Sequence, residues 1–330
     1  MRSTNLLVRT SIVGTAVALA ATLGACSSSK STSPTSSGGG APSSSGSSSG
    51  SPAAGGQPGK GKPPITMGDK NFAEQYLLGA LYSQALKAKG YSVTLKGNIG
   101  SSPVIDKALS SGQIDMYPEY TGVIYTELAH LGDRPKSAAI TLKGATTYEN
   151  KRGLAVLNAT PFQDADGLAV LNAYAQAHSL KTIADMKKIG SFTYGGPPEN
   201  ATRFQGVKGL QQAYGLHNFT FKSLSIGSQY QALDTKKIDS IAIFTTDGQL
   251  ASHKYTVLTD TKGIFGYQQV VPVVKKKVLA KEGPEFAATL NKVSALLTTP
   301  VIVALNKAVQ IDQKDPGVVA KAFLQANGLG

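Results

Sequence analysis

The residues able to do chemistry in this chain are few and scattered. Its single cysteine is Cys26, and its four histidines, His130, His178, His217 and His253, stand far apart. The sequence contains no His-Glu-x-x-His helix, no Gly-x-Ser-x-Gly elbow and no Gly-rich phosphate loop ending in Lys-Ser or Lys-Thr. No His, Cys and carboxylate group has metal-ligand spacing, so neither an enzyme nor a metal receptor is indicated and no cofactor is implied. What remains is binding chemistry. Lys70 follows a short apolar run, Ile65-Thr66-Met67, and precedes a helical pattern, a place suited to holding an anion. Tyr117-Pro118-Glu119-Tyr120-Thr121-Gly122 is too specific to be a generic turn signature. Asp164 and Asp166 serve either the turn chemistry of a loop or a pocket.

Elements that would position these groups follow from periodicity. Phe72, Tyr76, Leu77, Ala80, Leu81 and Leu86 form the apolar face of a helix that Asn71 can cap, with Glu74 three residues on as in a capping box and Gly90 as its stop. Tyr91–Gly97 alternates like a half-buried strand. A helix over 103–111 and a strand at 114–117 follow. The rhythm continues with strands at 168–171, 191–194 and 219–221 and helices at 183–188 and 201–214, and the chain closes with helices at 285–297 and 318–327. Short strands alternating with helices predict α/β sheets rich in parallel pairs, with ligands at the carboxyl ends of the strands.

The first 63 residues differ in kind. Arg2 and Arg9 precede an apolar run from Ser11 to Leu23, too short to span about 30 Å of hydrocarbon, so residues 1–25 read as an export signal. Leu23-Gly24-Ala25-Cys26 resembles the lipobox of bacterial lipoproteins, which would make Cys26 the lipid-modified mature N-terminus. Residues 26–63 are almost entirely Ser, Gly, Pro, Ala and Thr, a composition that favours a flexible tether with an r.m.s. reach of roughly 30–35 Å. The chain carries 33 basic and 20 acidic residues. Five of the bases and none of the acids precede position 64, leaving the remainder moderately basic. Its lysines are scattered without an aromatic-interleaved basic motif, which, with export, argues against nucleic acid as a partner.

Four segments together resemble the quaternary-ammonium osmoprotectant receptors, the glycine betaine/choline-binding family of ABC importers. They are Gly68 to Tyr76, Ile114 to Gly122, Thr202 to Leu210, and Phe244 to Gly248. The resemblance covers essentially all of residues 64–330. It implies a two-lobed type II periplasmic-binding-protein fold with two crossover hinge strands. Lobe 1 would take residues 64–164 and 264–330, and lobe 2 residues 165–263, with the ligand holding the lobes closed. It also implies a monomer outside the cytoplasmic membrane, held there by the lipid anchor and partnered by the permease and ATPase subunits of an importer.

A quaternary ammonium has no N–H to donate, so such a site recognises it with aromatic faces, each worth about 0.5–2 kcal/mol, and any ligand carboxylate needs separate cationic donors. By resemblance Lys70 and Arg203 take the carboxylate-binding positions, and Tyr120 and Tyr267 two positions of the aromatic cage. Phe244 stands where a third cage tyrosine is usual. Val123 replaces a hydroxyl residue, and Gly167 falls where a fourth aromatic wall is expected, next to Asp164 and Asp166. The expected ligand is glycine betaine, choline, carnitine or a relative. An incomplete cage leaves open a larger, aromatic or polyamine ligand, and a ligand-sensing surface lipoprotein unconnected to transport is the third reading.

Overall fold

A computed structural model describes residues 56–330, and in it ten strands form two five-stranded sheets. The export signal, Cys26 and most of the tether lie outside the described residues. The last residues of the expected tether, which ends at 63, pack on the body. Residues 57–62 form a turn in which the Gly59 amide donates to the Lys89 carbonyl at 3.0 Å, and Lys62 Nζ donates to the Lys281 carbonyl at 3.0 Å. A side chain at Gly59 would collide with the backbone of Tyr91, so this glycine lets the turn lie flat on the body.

The first sheet contains β1 (Ile65–Gly68), β2 (Val93–Lys96), β3 (Met116–Tyr120), β4 (Leu154–Val156) and β10 (Val270–Lys275), in the order β2-β1-β3-β10-β4. Its helices are α1 (Ala73–Ala88), α2 (Ser102–Ser110), α3 (Ala138–Lys151), α4 (Pro284–Leu296), α5 (Thr299–Gln310) and α6 (Pro316–Ala326). α1 packs against α4, α5 and α6, and one core unites Leu77, Leu81 and Leu86 with Phe286, Leu290 and Leu324 beneath the sheet. The opposite face of the sheet is covered by a second cluster built on Ile105, Leu109, Tyr117 and Val273. The helix begins one residue later than capping by Asn71 predicts. Phe72 is the cap residue, its hydrocarbon ring has no atom that could accept a cap bond, and Glu74 is drawn into buried contacts elsewhere. Gly90, at φ +82°, ends the helix as expected.

The second sheet contains β5 (Asp166–Leu171), β6 (Phe192–Gly196), β7 (Phe219–Ser223), β8 (Ser240–Phe244) and β9 (Tyr255–Val257), in the order β7-β6-β8-β5-β9. Leu168, Tyr194, Leu210 and Ile264 fill its main core. The helix expected over 201–214 is broken. A short turn over 198–201 gives way to extended backbone at Arg203, and Gly206 adopts φ −135°, ψ −129° before the chain coils again. Gly206 lies against the Asn200 carbonyl where a Cβ has no room, and the break turns residue 203 out of the helix.

Each sheet is more mixed than the alternating pattern predicts. β10 is antiparallel to both β3 and β4, and β5 is antiparallel to both β8 and β9. The cause is the route of the chain, which leaves the first sheet after β4, enters the second at β5 and returns after β9 to insert β10 in the reverse direction. The two crossings run side by side. Gln163 bridges Gln269, and the Asp164 amide donates to the Gln268 carbonyl at 3.0 Å. The result is a two-lobed α/β fold with two crossover segments as its hinge.

Candidate ligand-binding site

Between the sheets lies a small cavity of about 50 Å³, lined from one side by Lys70, Phe72, Ser102, Tyr120 and Val123 and from the other by Glu199, Arg203 and Phe244. Asp164 and Asp166 line it where the chain crosses. Seven of the residues singled out from sequence therefore meet here.

Lys70 stands in the loop between β1 and α1, and its buried ammonium is already engaged. Nζ lies 2.5 Å from Glu119 Oε1 and 3.0 Å from Ser102 Oγ. It also lies 4.3 Å from the centroid of the Tyr120 ring and 5.5 Å from that of Phe72. An ammonium has three donors. Two are satisfied by oxygen and the charge sits over an aromatic face, so Lys70 is not the free cation that a carboxylate-binding role expects.

The aromatic surface is a row rather than a box. Phe72 stacks on Tyr120 at 6.1 Å with 24° between planes, and on Phe244 at 5.7 Å with 17°. Phe72 escaped the sequence reading because its place on the apolar face of α1 marked it as core. Tyr120 is fixed from behind by its phenol, which donates to Glu74 Oε1 at 2.8 Å. Glu74 Oε2 in turn accepts from Thr246 Oγ1 at 2.6 Å and from Asn306 Nδ2 at 2.7 Å. Thr246 Oγ1 also lies 2.6 Å from Asp164 Oδ1. Burial pushes both Glu74 and Asp164 above the usual carboxylate range, and the charge of Glu74 raises Asp164 further, while hydrogen bonds from Thr246, Asn306, Tyr120 and Asp164 hold Glu74 back. This node ties α1 and α5 of one lobe to the end of β8 in the other, directly behind the rings.

Arg203 reaches the cavity from the broken segment. Its Nη2 lies 2.5 Å from Glu127 Oε2, while its buried Nε faces no acceptor. Glu127 is carried by the turn after β3, so this ion pair also joins the lobes. Asp166 and Glu199 add further negative charge around the same guanidinium. Val123 contributes its side chain to the wall and donates its amide to Gln268 Oε1 at 3.1 Å.

Two expected wall residues are placed elsewhere. Gly167 pairs with Ile243 on the face of the sheet turned from the cavity, where an added Cβ would meet Ile243 and Val257. Its neighbour Asp166 pairs with Phe244 and faces the cavity instead. Side chains alternate along a strand, so Asp166 and not Gly167 presents its side chain to the cavity. Tyr267 donates from its hydroxyl to the Lys136 carbonyl at 3.4 Å and lines a separate concavity of about 450 Å³ with Gly167, Pro135 and Phe265. Asp166 borders both spaces. Among the described residues no cluster of His, Cys, Asp and Glu could hold a metal ion.

Residues 63–326 match the profile of the family described as the substrate binding domain of ABC-type glycine betaine transport system. The chain belongs to that family. A glycine-betaine-binding protein of Pseudomonas aeruginosa is 31% identical over 278 residues, covering 80% of this chain and 88% of the relative. The ergothioneine transport permease/ergothioneine binding protein EgtU of Helicobacter pylori is 29% identical over 268 residues, covering 81% of this chain but 48% of that longer protein. Among solved structures, a glycine betaine/carnitine/choline ABC transporter protein superposes with a TM-score of 0.67 at 24% identity, over 80% of this chain and 99% of its own. Membership makes this ABC-type substrate-binding protein a non-catalytic extracytoplasmic component that serves membrane permease and ATPase subunits.

Proposed function

We propose that this ABC-type receptor captures a quaternary ammonium osmoprotectant, glycine betaine, choline, carnitine or a relative, between its two lobes. Cys26 carries the lipid that holds it at the outer face of the cytoplasmic membrane, and it acts as a monomer. The observation that carries the reading is the row Tyr120–Phe72–Phe244 along the inter-lobe cavity, one face of which already accepts an ammonium at 4.3 Å. A methylated ammonium cannot enter between near-parallel rings 5.7 Å apart, so it docks against a free face or edge of the row, within about 6 Å of a centroid. The unpaired Arg203 Nε supplies a donor for a ligand that carries a carboxylate.

A second reading, a larger ligand, is favoured by the 450 Å³ concavity that shares Asp166 with the cavity. The Helicobacter relative named for ergothioneine agrees with it. Calorimetric titration with choline, glycine betaine, carnitine, ergothioneine and 3,3-dimethylbutanol, the uncharged isostere of choline, separates these cases. The proposal expects saturable one-to-one binding of at least one small quaternary amine, and weaker binding of the isostere by the 0.5–2 kcal/mol typical of a cation over a ring. Equal affinity for choline and its isostere, or binding of ergothioneine alone, would overturn the small-osmoprotectant reading.

A further inference from the structure

Resting on that reading, we propose that Asp166 is a specificity-determining residue that makes the cleft prefer a ligand of net positive charge, a choline-like cation, over a zwitterionic betaine.

Strand register places the residue. Asp166 of β5 is directly opposite Phe244 of β8. Residues opposed across an antiparallel pair project from the same face with Cβ atoms about 4.5–5.5 Å apart. The carboxyl therefore stands beside the ring that ends the aromatic row. The two ends of that row differ: Tyr120 is already occupied by the Lys70 ammonium, whereas Phe244 is flanked by an anion. A ligand cation that cannot enter between the rings finds an aromatic ring not already covered by an ammonium beside a carboxyl group at the Phe244 end.

The surrounding charges point the same way. Lys70 is paired with Glu119, and Arg203 with Glu127. Around Arg203 stand two more carboxyl groups, Asp166 and Glu199, so the two cations of the cleft face four anions before Asp164 is considered. Among the described residues no side chain donates a hydrogen bond to Asp166, whose carboxyl is met by its own backbone amide and lines the cleft. A ligand carboxylate would meet only Arg203 Nε as an unused donor and would approach it past Asp166 and Glu199.

The state of Asp166 adds a measurable signature. Burial pushes its carboxyl up to about 6, against the pull of Arg203 and Lys70 and with the push of Glu127. Glu199 on the segment carrying Arg203 and Asp164 on the same crossover are the remaining acids facing the cleft nearby. An arriving cation favours the ionised form, so near pH 6 binding displaces a proton from Asp166 to the buffer.

The test is calorimetric titration of wild type, Asp166→Asn and Asp166→Glu with choline and glycine betaine at pH 7.5, repeated for choline at pH 6 in two buffers of different ionisation enthalpy. Wild type should bind choline at least tenfold more tightly than betaine and release protons at pH 6. Asp166→Asn should weaken choline tenfold or more, tighten betaine by relieving repulsion, and lose most of the proton release. Asp166→Glu, which keeps the charge, should keep the preference for choline and supports the test should the Asn variant fold poorly. Betaine bound as tightly as choline by wild type, or equal changes for both ligands in Asp166→Asn, would overturn the assignment while leaving quaternary-amine binding intact. Binding of neither ligand by wild type would overturn both.

Discussion

Replacing Thr246 by Val removes one hydroxyl from the junction between the lobes while keeping nearly the same volume. That hydroxyl lies 2.6 Å from Glu74 Oε2 and 2.6 Å from Asp164 Oδ1. It has one proton to donate, so the second short contact requires a proton held by one of the acids. A hydrogen bond to a charged group contributes about 1.5–3 kcal/mol. Glu74 keeps its bonds from Tyr120 and Asn306, so the loss should stay within that range. At roughly 2–4 °C per kcal/mol for a chain of this size, Thr246→Val should lower Tm by roughly 3–12 °C. The pH dependence has a definite sign. Both carboxyls are raised, chiefly by burial, so their contribution to stability is greatest below the unfolded values and is lost as pH rises through the folded ones. The Thr246 hydrogen bond opposes the shift in both acids by favouring their ionised forms. Its removal should therefore cost more at pH 8 than at pH 5. Urea unfolding followed by circular dichroism at the two pH values measures this directly. A deficit below about 0.5 kcal/mol at both, or one larger at pH 5, would refute the argument.

Three further outcomes follow from the same contacts. Phe72→Leu keeps the apolar volume but removes the middle ring, and calorimetry should show choline weakened by about 0.5–2 kcal/mol, with unchanged affinity counting against the aromatic row. Glu119→Leu leaves the Lys70 ammonium buried without its anion and should cost about 3–5 kcal/mol in urea unfolding, much of it regained in Lys70→Met/Glu119→Leu; a double variant no better than the single would contradict this. Cys26→Ser should abolish radiolabelled-lipid incorporation and leave the protein shed or unprocessed, whereas a processed, membrane-bound Ser variant would rule out the anchor.

Much of the fold was readable because its elements are local. The apolar face from Phe72 to Leu86, closed by Gly90, needs no distant partner to be a helix. The antiparallel insertion of β10 was not readable, since it depends on the chain crossing to a second lobe and returning. The site divides in the same way. Lys70, Tyr120, Arg203 and Phe244 lie in compact motifs and do meet in one cavity. Gly167, expected at the wall, faces away from the cavity and Asp166 faces it, because along a strand a shift of one residue exchanges the two faces. Glu74 had the spacing of a capping box, yet burial beside Thr246 and Asn306 prevailed over the local bond. Phe72 and Glu119 were in view as part of a helix face and a motif, but their roles depend on what stands across the cleft. No pattern within a short window carries that information.

The most direct test of the account is a crystal structure of the receptor with choline bound. The account predicts the trimethylammonium group in the inter-lobe cavity, within about 6 Å of the Phe244 or Phe72 centroid and against a free face of the row. Choline seated instead in the concavity beside Tyr267, with the Tyr120–Phe72–Phe244 surface untouched, would contradict it.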